Sequence, residues 1–290
     1  GGGRGIRVVA DADALRTAFG QASTEAEKAF GDGTMYLERF VERARHVEVQ
    51  VLGDGRDAVH LFERECSLQR RRQKVVEEAV SPGISGATRE AMTTAAVALC
   101  REVGYTSAGT VEFLVDDETG EFFFIEMNTR IQVEHPTTEL VTGIDLVAEQ
   151  LRVAAGEPLR FTQDRISRRG HAIEFRVCAE DPERDFLPQP GGVGRVTLPS
   201  GPWVRCDTWL EPDGTVPPYY DSLLAKVVVW GADRTEALAR SRRALEEFSV
   251  AGIPTTAGLL RTLAGEPWVA DADFHTGTLE HWLAEGKGTS

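Results

Sequence analysis

Lysine is scarce in this sequence, cysteine is scattered, and no apolar run approaches the roughly 20 residues a membrane helix needs. A membrane-embedded partner is therefore not expected. The four cysteines, Cys66, Cys100, Cys178 and Cys206, form no C-x-x-C pair. That spacing argues against a zinc site or a disulfide framework and favours reduced thiols in a cytosol. Positive charge is also in deficit: 46 acidic residues face 32 basic ones, a net charge of −14, which disfavours nonspecific nucleic-acid binding. Of the basic residues only Lys28, Lys74, Lys226 and Lys287 are lysines. A chain that uses Arg by default draws attention to each Lys it keeps. The sequence opens Gly-Gly-Gly-Arg without Met or a signal-peptide pattern, and we expect it to begin inside a longer chain.

What is present is ordinary globular composition, 41% hydrophobic and 27% charged over 290 residues, enough for one or two cores. A short strand is expected at Ile6–Val9. A helix follows from Asp11 to about Phe30, capped by Asp13, with Leu15, Ala18 and Phe19 on one face. Strands are expected at 35–40, 46–52, where Val47, Val49 and Val51 alternate with Glu48 and Gln50, and 58–63. A loop at 82–86 leads into a helix over 87–103. Two strands, 109–115 and 121–128, are joined by Asp117–Gly120. A helix at 144–155 precedes a polar boundary at 162–169. Beyond it come strands at 171–178, 193–198, 203–209 and 224–230 and a helix at 233–248. Strands and helices interleave without a βαβ repeat, which predicts an α+β fold.

Four constellations carry candidate chemistry. A turn spanning Asp117–Glu121 places Glu112 opposite Glu126, with Asn128 two residues further on the same face. Opposed carboxylates repel. Either both lie on a solvated face, or a divalent cation such as Mg2+ neutralises them with Asn128 as a further oxygen ligand. Residues 126–134 alternate, directing Glu126, Asn128, Arg130, Gln132 and Glu134 to one side if extended; a solvent face or an ordered metal-, anion- and base-holding site both fit. Arg70-Arg71-Arg72-Gln73-Lys74 is either an anion site or a solvated basic run. The opening glycines suit a phosphate nest or a linker, but no G-K-[ST] makes them a P-loop and no helix makes them a dinucleotide fingerprint.

The run Glu126-Met-Asn-Thr-Arg-Ile-Gln-Val-Glu134-His-Pro, together with Glu63-Arg-Glu-Cys-Ser-Leu-Gln-Arg-Arg-Arg-Gln-Lys74, Gly170-His-Ala-Ile-Glu-Phe-Arg176 and Pro217-Pro-Tyr-Tyr-Asp-Ser222, resembles biotin carboxylase, collinearly over essentially the whole chain. The resemblance implies an ATP-grasp core, incomplete at its N-terminal end, in residues 1–167 (1–40 the remainder of the lid, 41–167 the metal- and substrate-binding part). An α+β C-terminal domain then occupies 168–290. It implies Gly2 and Gly3 over the triphosphate, and Glu38, Arg39, Phe40, Val41, His46, Gln69 and Arg72 at ATP, although some members carry histidine at the last position. It further implies Glu112, Glu126 and Asn128 at Mg2+ or Mn2+. Lys74, Arg130, Gln132, Val133 and Arg176 fall in the bicarbonate and biotin pocket, and Glu134 is the general base.

The implied reaction is ATP-dependent carboxylation of carrier-bound biotin by bicarbonate through carboxyphosphate. Implied partners are a biotin carrier domain, a carboxyltransferase and a second copy of the chain, in the cytoplasm. Thr137-Thr138-Glu139 resembles acyl-CoA carboxylases more than pyruvate carboxylases. The isolated 290-residue chain is expected to be weak or inactive. Three other readings are another ATP-grasp ligase, a non-enzymatic regulatory relative, and a phosphate- or RNA-binding module built on Arg70–Lys74.

Overall fold

The computed structural model describes residues 6–286, in two compact units, residues 1–42 and 43–290. Gly2 and Gly3 lie outside the described residues. The first unit holds one helix, α1 (Ala12–Phe30), and neither expected strand, 6–9 or 35–40, forms. An extended segment becomes a strand only where a neighbour completes its ladder, and no described residue pairs with either. The cap of α1 is Asp11 rather than Asp13: its Oδ1 accepts from the Asp13 and Ala14 N–H groups. An N-cap must sit outside the helix in extended conformation, and Asp11 does, whereas Asp13 is already helical.

The second unit is built on one eight-stranded sheet: β1 (Ala44–Asp54), β2 (Ala58–Arg70), β3 (Gln73–Ala79), β4 (Thr106–Asp116), β5 (Phe122–Asn128), β6 (His171–Cys178), β7 (Val204–Thr208) and β8 (Leu223–Gly231). The order is β7-β8-β6-β3-β2-β1-β4-β5 and every pairing is antiparallel. With helices packed on it, this is the expected α+β class. The sheet continues without a break from β3 to β6. Of the expected strand at 193–198 only Val196–Thr197 pairs, with Ser249–Val250.

One sheet face is apolar. Val47, Val49, Val51, Val111, Phe113 and Val115 pack on Met92, Ala96 and Cys100 of α2 (Gly86–Glu102). Further along, Ile173, Phe175, Val177, Val227 and Val229 belong to the core shared with α5 (Arg234–Glu247) and the helices after it, α6 (Ala257–Leu263), α7 (Pro267–Ala270) and α8 (Thr278–Ala284). The opposite face carries Glu48, Gln50, Arg64, Thr110, Glu112, Glu174 and Arg176. It is covered by residues 129–134 and α3 (His135–Thr142), while α4 (Leu146–Ala154) seals one end with Leu146 against Leu52, Leu61 and Ala108.

Two irregularities set this face. Leu61 and Arg64 are an odd number apart, so in a regular strand they would point opposite ways. The β1–β2 register slips between Val49 and Val51, and Phe62 adopts φ 63°, a left-handed conformation costly for an aromatic residue. This bulge turns Arg64 inward beside Glu48. At the β2–β3 hairpin the two turn residues, Arg71 and Arg72, both have positive φ, 47° and 64°, as a two-residue turn matching strand twist requires. Strand β3 was not anticipated, because Arg-Arg carries none of the Asn-Gly signal of such turns.

The buried Glu78 of β3 joins the sheet to the C-terminal helices. It accepts from His171 Nε2 at 2.7 Å and from Arg234 Nε and Nη2 at 2.7 and 2.9 Å, while Arg234 also donates to the Val269 and Ala270 carbonyls. Burial pushes the Glu78 carboxyl up, but the Arg234 and His171 hydrogen bonds outweigh it and hold it at about 2. A depressed carboxyl stabilises the fold above its unfolded value and loses that contribution as pH falls through its folded value. Glu78→Gln should therefore cost about 3 kcal/mol at pH 7, and in urea titrations the deficit should shrink as pH falls from about 4.5 to 2.

Candidate active site

Lys74 stands at the centre of the polar face. Its Nζ lies 2.5 Å from Glu48 Oε2 on β1, 3.0 Å from Glu112 Oε1 on β4 and 2.7 Å from Glu134 Oε1 at the start of α3. Burial alone would lower the Lys74 ammonium, but Glu48, Glu134 and Glu112 outweigh it and hold it far above the ordinary lysine range. Behind Lys74, the fully buried Arg64 donates to Glu48 Oε1 at 2.6 Å, Gln50 Oε1 at 2.6 Å, Thr138 Oγ1 at 2.9 Å and Thr110 Oγ1 at 3.1 Å. Arg64 thereby fixes the carboxylate that fixes Lys74.

The strand pair behaves as its sequence predicts, by a different route. Glu112 does pair with Glu126, Val111 with Met127 and Thr110 with Asn128. The turn, however, closes between Asp116 and Glu121, one residue out of the expected register, and Ile125 is the extra residue that restores it. Asn128 Nδ2 lies 3.0 Å from Glu112 Oε1 and 3.4 Å from Glu126 Oε1. Glu112 is buried; Glu126 is exposed. His46 Nε2 approaches Glu112 Oε2 at 3.1 Å. Burial raises the Glu112 carboxyl, yet His46, Lys74 and Gln132 hold it well below the ordinary range.

The extended reading of 126–134 does not hold: β5 ends at Asn128, and the chain turns to begin α3 at His135, with Pro136 in its first turn. Pro136 starts a helix, as its fixed φ and missing N–H allow. The turn still buries Gln132 and Glu134 while Arg130 is exposed. Gln132 Nε2 donates to Glu112 Oε1 at 3.0 Å, and Arg130 Nη2 reaches Asn128 Oδ1 at 3.3 Å. The Val133 carbonyl accepts from Lys226 Nζ on β8 at 2.9 Å. The second oxygen of Glu134 takes Arg176 Nη2 from β6 at 2.9 Å, so that carboxylate is held between two cations from different strands.

Thus Lys74, Arg130, Gln132, Val133, Glu134, Arg176, His46, Glu112, Glu126 and Asn128 come together, and Gln69 pairs with Lys74 across the β2–β3 hairpin. Arg72 sits exposed in the hairpin turn. The basic run is divided. Arg70 and Arg71 engage Asp185, Arg70 also stacks on Phe186, and Lys74 turns to the polar face. Glu38, Arg39, Phe40 and Val41 belong to the first unit, on a segment without helix or strand. Sequence reading passed over Glu48, Arg64, Glu77, Glu174 and Lys226. A signal existed for Lys226, as one of only four lysines.

Removing Arg64 leaves Glu48 Oε1, Gln50 Oε1 and Thr138 Oγ1 buried without the donor they share. Arg64→Met should destabilise the chain by about 3–5 kcal/mol, measured by urea unfolding, whereas a surface change such as Arg16→Met should stay within about 0.5 kcal/mol.

Residues 1–162 match the family model for the carbamoyl-phosphate synthase L chain ATP-binding domain, and residues 174–281 match that for the biotin carboxylase C-terminal domain. A biotin carboxylase from Pseudomonas aeruginosa is 51% identical over 290 residues, 99% of this chain and 63% of its own length. One from Nostoc is 50% identical over 277 residues, 95% of this chain and 62% of that protein. The chain therefore spans somewhat under two thirds of these relatives. Among solved structures, the biotin carboxylase domain of Hydrogenobacter thermophilus 2-oxoglutarate carboxylase, a dimer in complex with MgADP, ADP and bicarbonate, superposes with a TM-score of 0.94. It is 43% identical, covering 100% of this chain and 64% of that one. With an ATP-grasp core model, a biotin carboxylase C-terminal model and relatives near 50% identity, this chain belongs to the biotin carboxylase family.

Proposed function

We propose that the protein carboxylates biotin on a carrier domain, using ATP and bicarbonate through carboxyphosphate, as the first half-reaction of a biotin-dependent acyl-CoA carboxylase. The observation that carries this reading is Glu134, a buried carboxylate held at 2.7 Å by Lys74 and 2.9 Å by Arg176. A base flanked by two cations suits an anionic acid such as bicarbonate, because the cations attract the substrate whose proton the base takes. In this reading Lys74 and Arg130 hold bicarbonate and Glu134 Oε1 or Oε2 accepts its proton. The resulting dianion attacks the γ-phosphorus of ATP, forming carboxyphosphate and releasing ADP. Carboxyphosphate then breaks its carbon–oxygen bond to give CO2 and phosphate. The phosphate takes the proton of the biotin ureido nitrogen, and that nitrogen bonds to CO2 while Arg176 faces the ureido oxygen and Gln132 and Val133 line the pocket. The bicarbonate and MgADP of the Hydrogenobacter relative support the substrate choice.

Glu112, Glu126 and Asn128 suit a hard divalent cation. Two opposed carboxylates converge on one amide, and a half-turn of that amide would present its oxygen instead of its nitrogen. A Mg2+ or Mn2+ held there would offset charge on the phosphates. His46, Gln69 and Arg72, with Gly2, Gly3 and Glu38–Val41, are assigned to the nucleotide. Residues 1–167 and 168–290 are assigned to the ATP-grasp and C-terminal domains. We assign a carrier domain, a carboxyltransferase and a second copy of the chain as partners, in the cytoplasm. Four free cysteines fit that compartment, and no helix among the described residues is long and apolar enough to cross a membrane.

The test is transfer of label from bicarbonate to biotin with ATP and Mg2+. Label should appear only with ATP, and Glu134→Gln should lower its rate by at least ~100-fold while leaving ADP affinity within about twofold. Label transfer unchanged by Glu134→Gln would reject the assignment of the base.

A further inference from the structure

Beneath Arg176 lies an acid that the proposed reaction does not use. Glu174, two residues back on β6, is fully buried, and neither of its carboxylate oxygens has a hydrogen-bond partner. Directly across the β3–β6 ladder stands Glu77, also fully buried, and on the other side Arg176 pairs with Lys226. Like residues face each other in both pairs, an unfavourable arrangement for charged side chains. Glu77 Oε1 lies 2.5 Å from Arg176 Nη2, whose other carboxylate contact is Glu134 Oε2 at 2.9 Å. Arg176 thus already has two carboxylates before Glu174 is counted. Lys226 is committed to the Val133 carbonyl, with Asp207 at 3.5 Å.

Three carboxylates, Glu77, Glu134 and Glu174, therefore crowd the Arg176 guanidinium and the Lys226 ammonium, while Lys74, which also reaches Glu134, is shared with Glu48 and Glu112. A fully buried, unpartnered carboxylate is the costliest state available to such a cluster, and a proton on it removes the excess charge. We propose that Glu174 is a positioning residue that carries a proton at neutral pH, so that the charge of Arg176 faces the pocket instead of being cancelled from below. Burial raises both acids, Glu77 to about 7 and Glu174 well above the ordinary range; Glu77 adds to the rise of Glu174, and Glu134 to that of Glu77. Other charged groups on the packed elements are Lys74 of β3, His135 and Glu139 of α3, and Arg205 and Asp207 of β7. Among them Arg205 is held by Glu139 at 2.7 Å and Asp207 at 2.8 Å.

The role assigned to Arg176 rests on the function proposed above; the proton on Glu174 does not, and the test separates them. A raised carboxyl makes the fold most stable below its unfolded value, and that stability declines as pH rises toward its folded value. Glu174→Gln, which keeps shape and cannot ionise, should remove the decline. Thermal midpoints of wild type and E174Q should nearly coincide at pH 5, and E174Q should gain a lead of a few degrees by pH 9. Glu77→Gln gives the second arm: the E77Q/E174Q double variant should show less than the sum of the two single shifts, because the acids share one site of excess charge. In turnover, E174Q should keep kcat within about twofold at pH 7 and extend the alkaline limb of the pH profile.

A midpoint difference that is negative at every pH, or additive single shifts, would overturn the proposal. So would an alkaline limb unchanged in E174Q beside active wild type. Biotin turnover absent from the full-length protein would count against the proposed reaction, and the midpoint comparison would still decide the proton.

Discussion

The second unit is arranged around one constraint: charges taken out of water must find partners in place. Lys74 meets it by receiving carboxylates from three separate parts of the chain, Glu48 of β1, Glu112 of β4 and Glu134 ahead of α3. Each of those acids would be a costly isolated burial. A compact ammonium can accept them from three directions, which a planar guanidinium cannot do with the same geometry. Arg64 supplies the complementary case, a planar fork spread over Glu48, Gln50, Thr110 and Thr138. The two cations divide Glu48 between them, one oxygen each.

An antiparallel sheet with one greasy and one charged face can be assembled only if its strands agree on parity. They do so through defects. The bulge at Phe62 brings Arg64 onto the face of Leu61, and the bulge at Ile125 brings Glu126 opposite Glu112. Without the first, Arg64 would enter the valine core beside α2; without the second, the carboxylate pair would be offset. The apolar face carries the packing energy, so the other face is free to hold groups chosen for chemistry. Lys226 and Arg176 extend that charged surface across β6 and β8, to the turn that presents Val133 and Glu134.

Much of this was legible in the residues. Alternation exposed β1, and the positions of β6, β8 and the long helices α1, α2 and α5 were anticipated, although the cap of α1 was placed on Asp13 and is Asp11. The Glu112–Glu126 pairing was reached from a turn one residue out of register, and it holds because the Ile125 bulge compensates. The parts that were illegible share a cause: they depend on backbone conformations that side-chain identity does not announce. Phe62, Arg71 and Arg72 in left-handed conformation carry no glycine or asparagine to mark them. Nothing in the sequence marked Glu48 or Glu174 as buried, because a sequence does not state what covers a sheet face. Residues 126–134 looked extended throughout by their alternation, yet a turn after Asn128 buries Gln132 and Glu134 and leaves Arg130 exposed. The expected strands at 6–9 and 35–40 failed for the opposite reason, having local propensity and no ladder to join.

The central claim is that the Lys74 ammonium is what allows three carboxylates to stand together. It is tested most directly by the stability of Lys74→Met against pH. The account predicts a deficit of about 3–5 kcal/mol against wild type at pH 8, shrinking as pH is lowered to 5, where the unpaired acids can take up protons. A deficit that is absent, or that stays constant across that range, would contradict it.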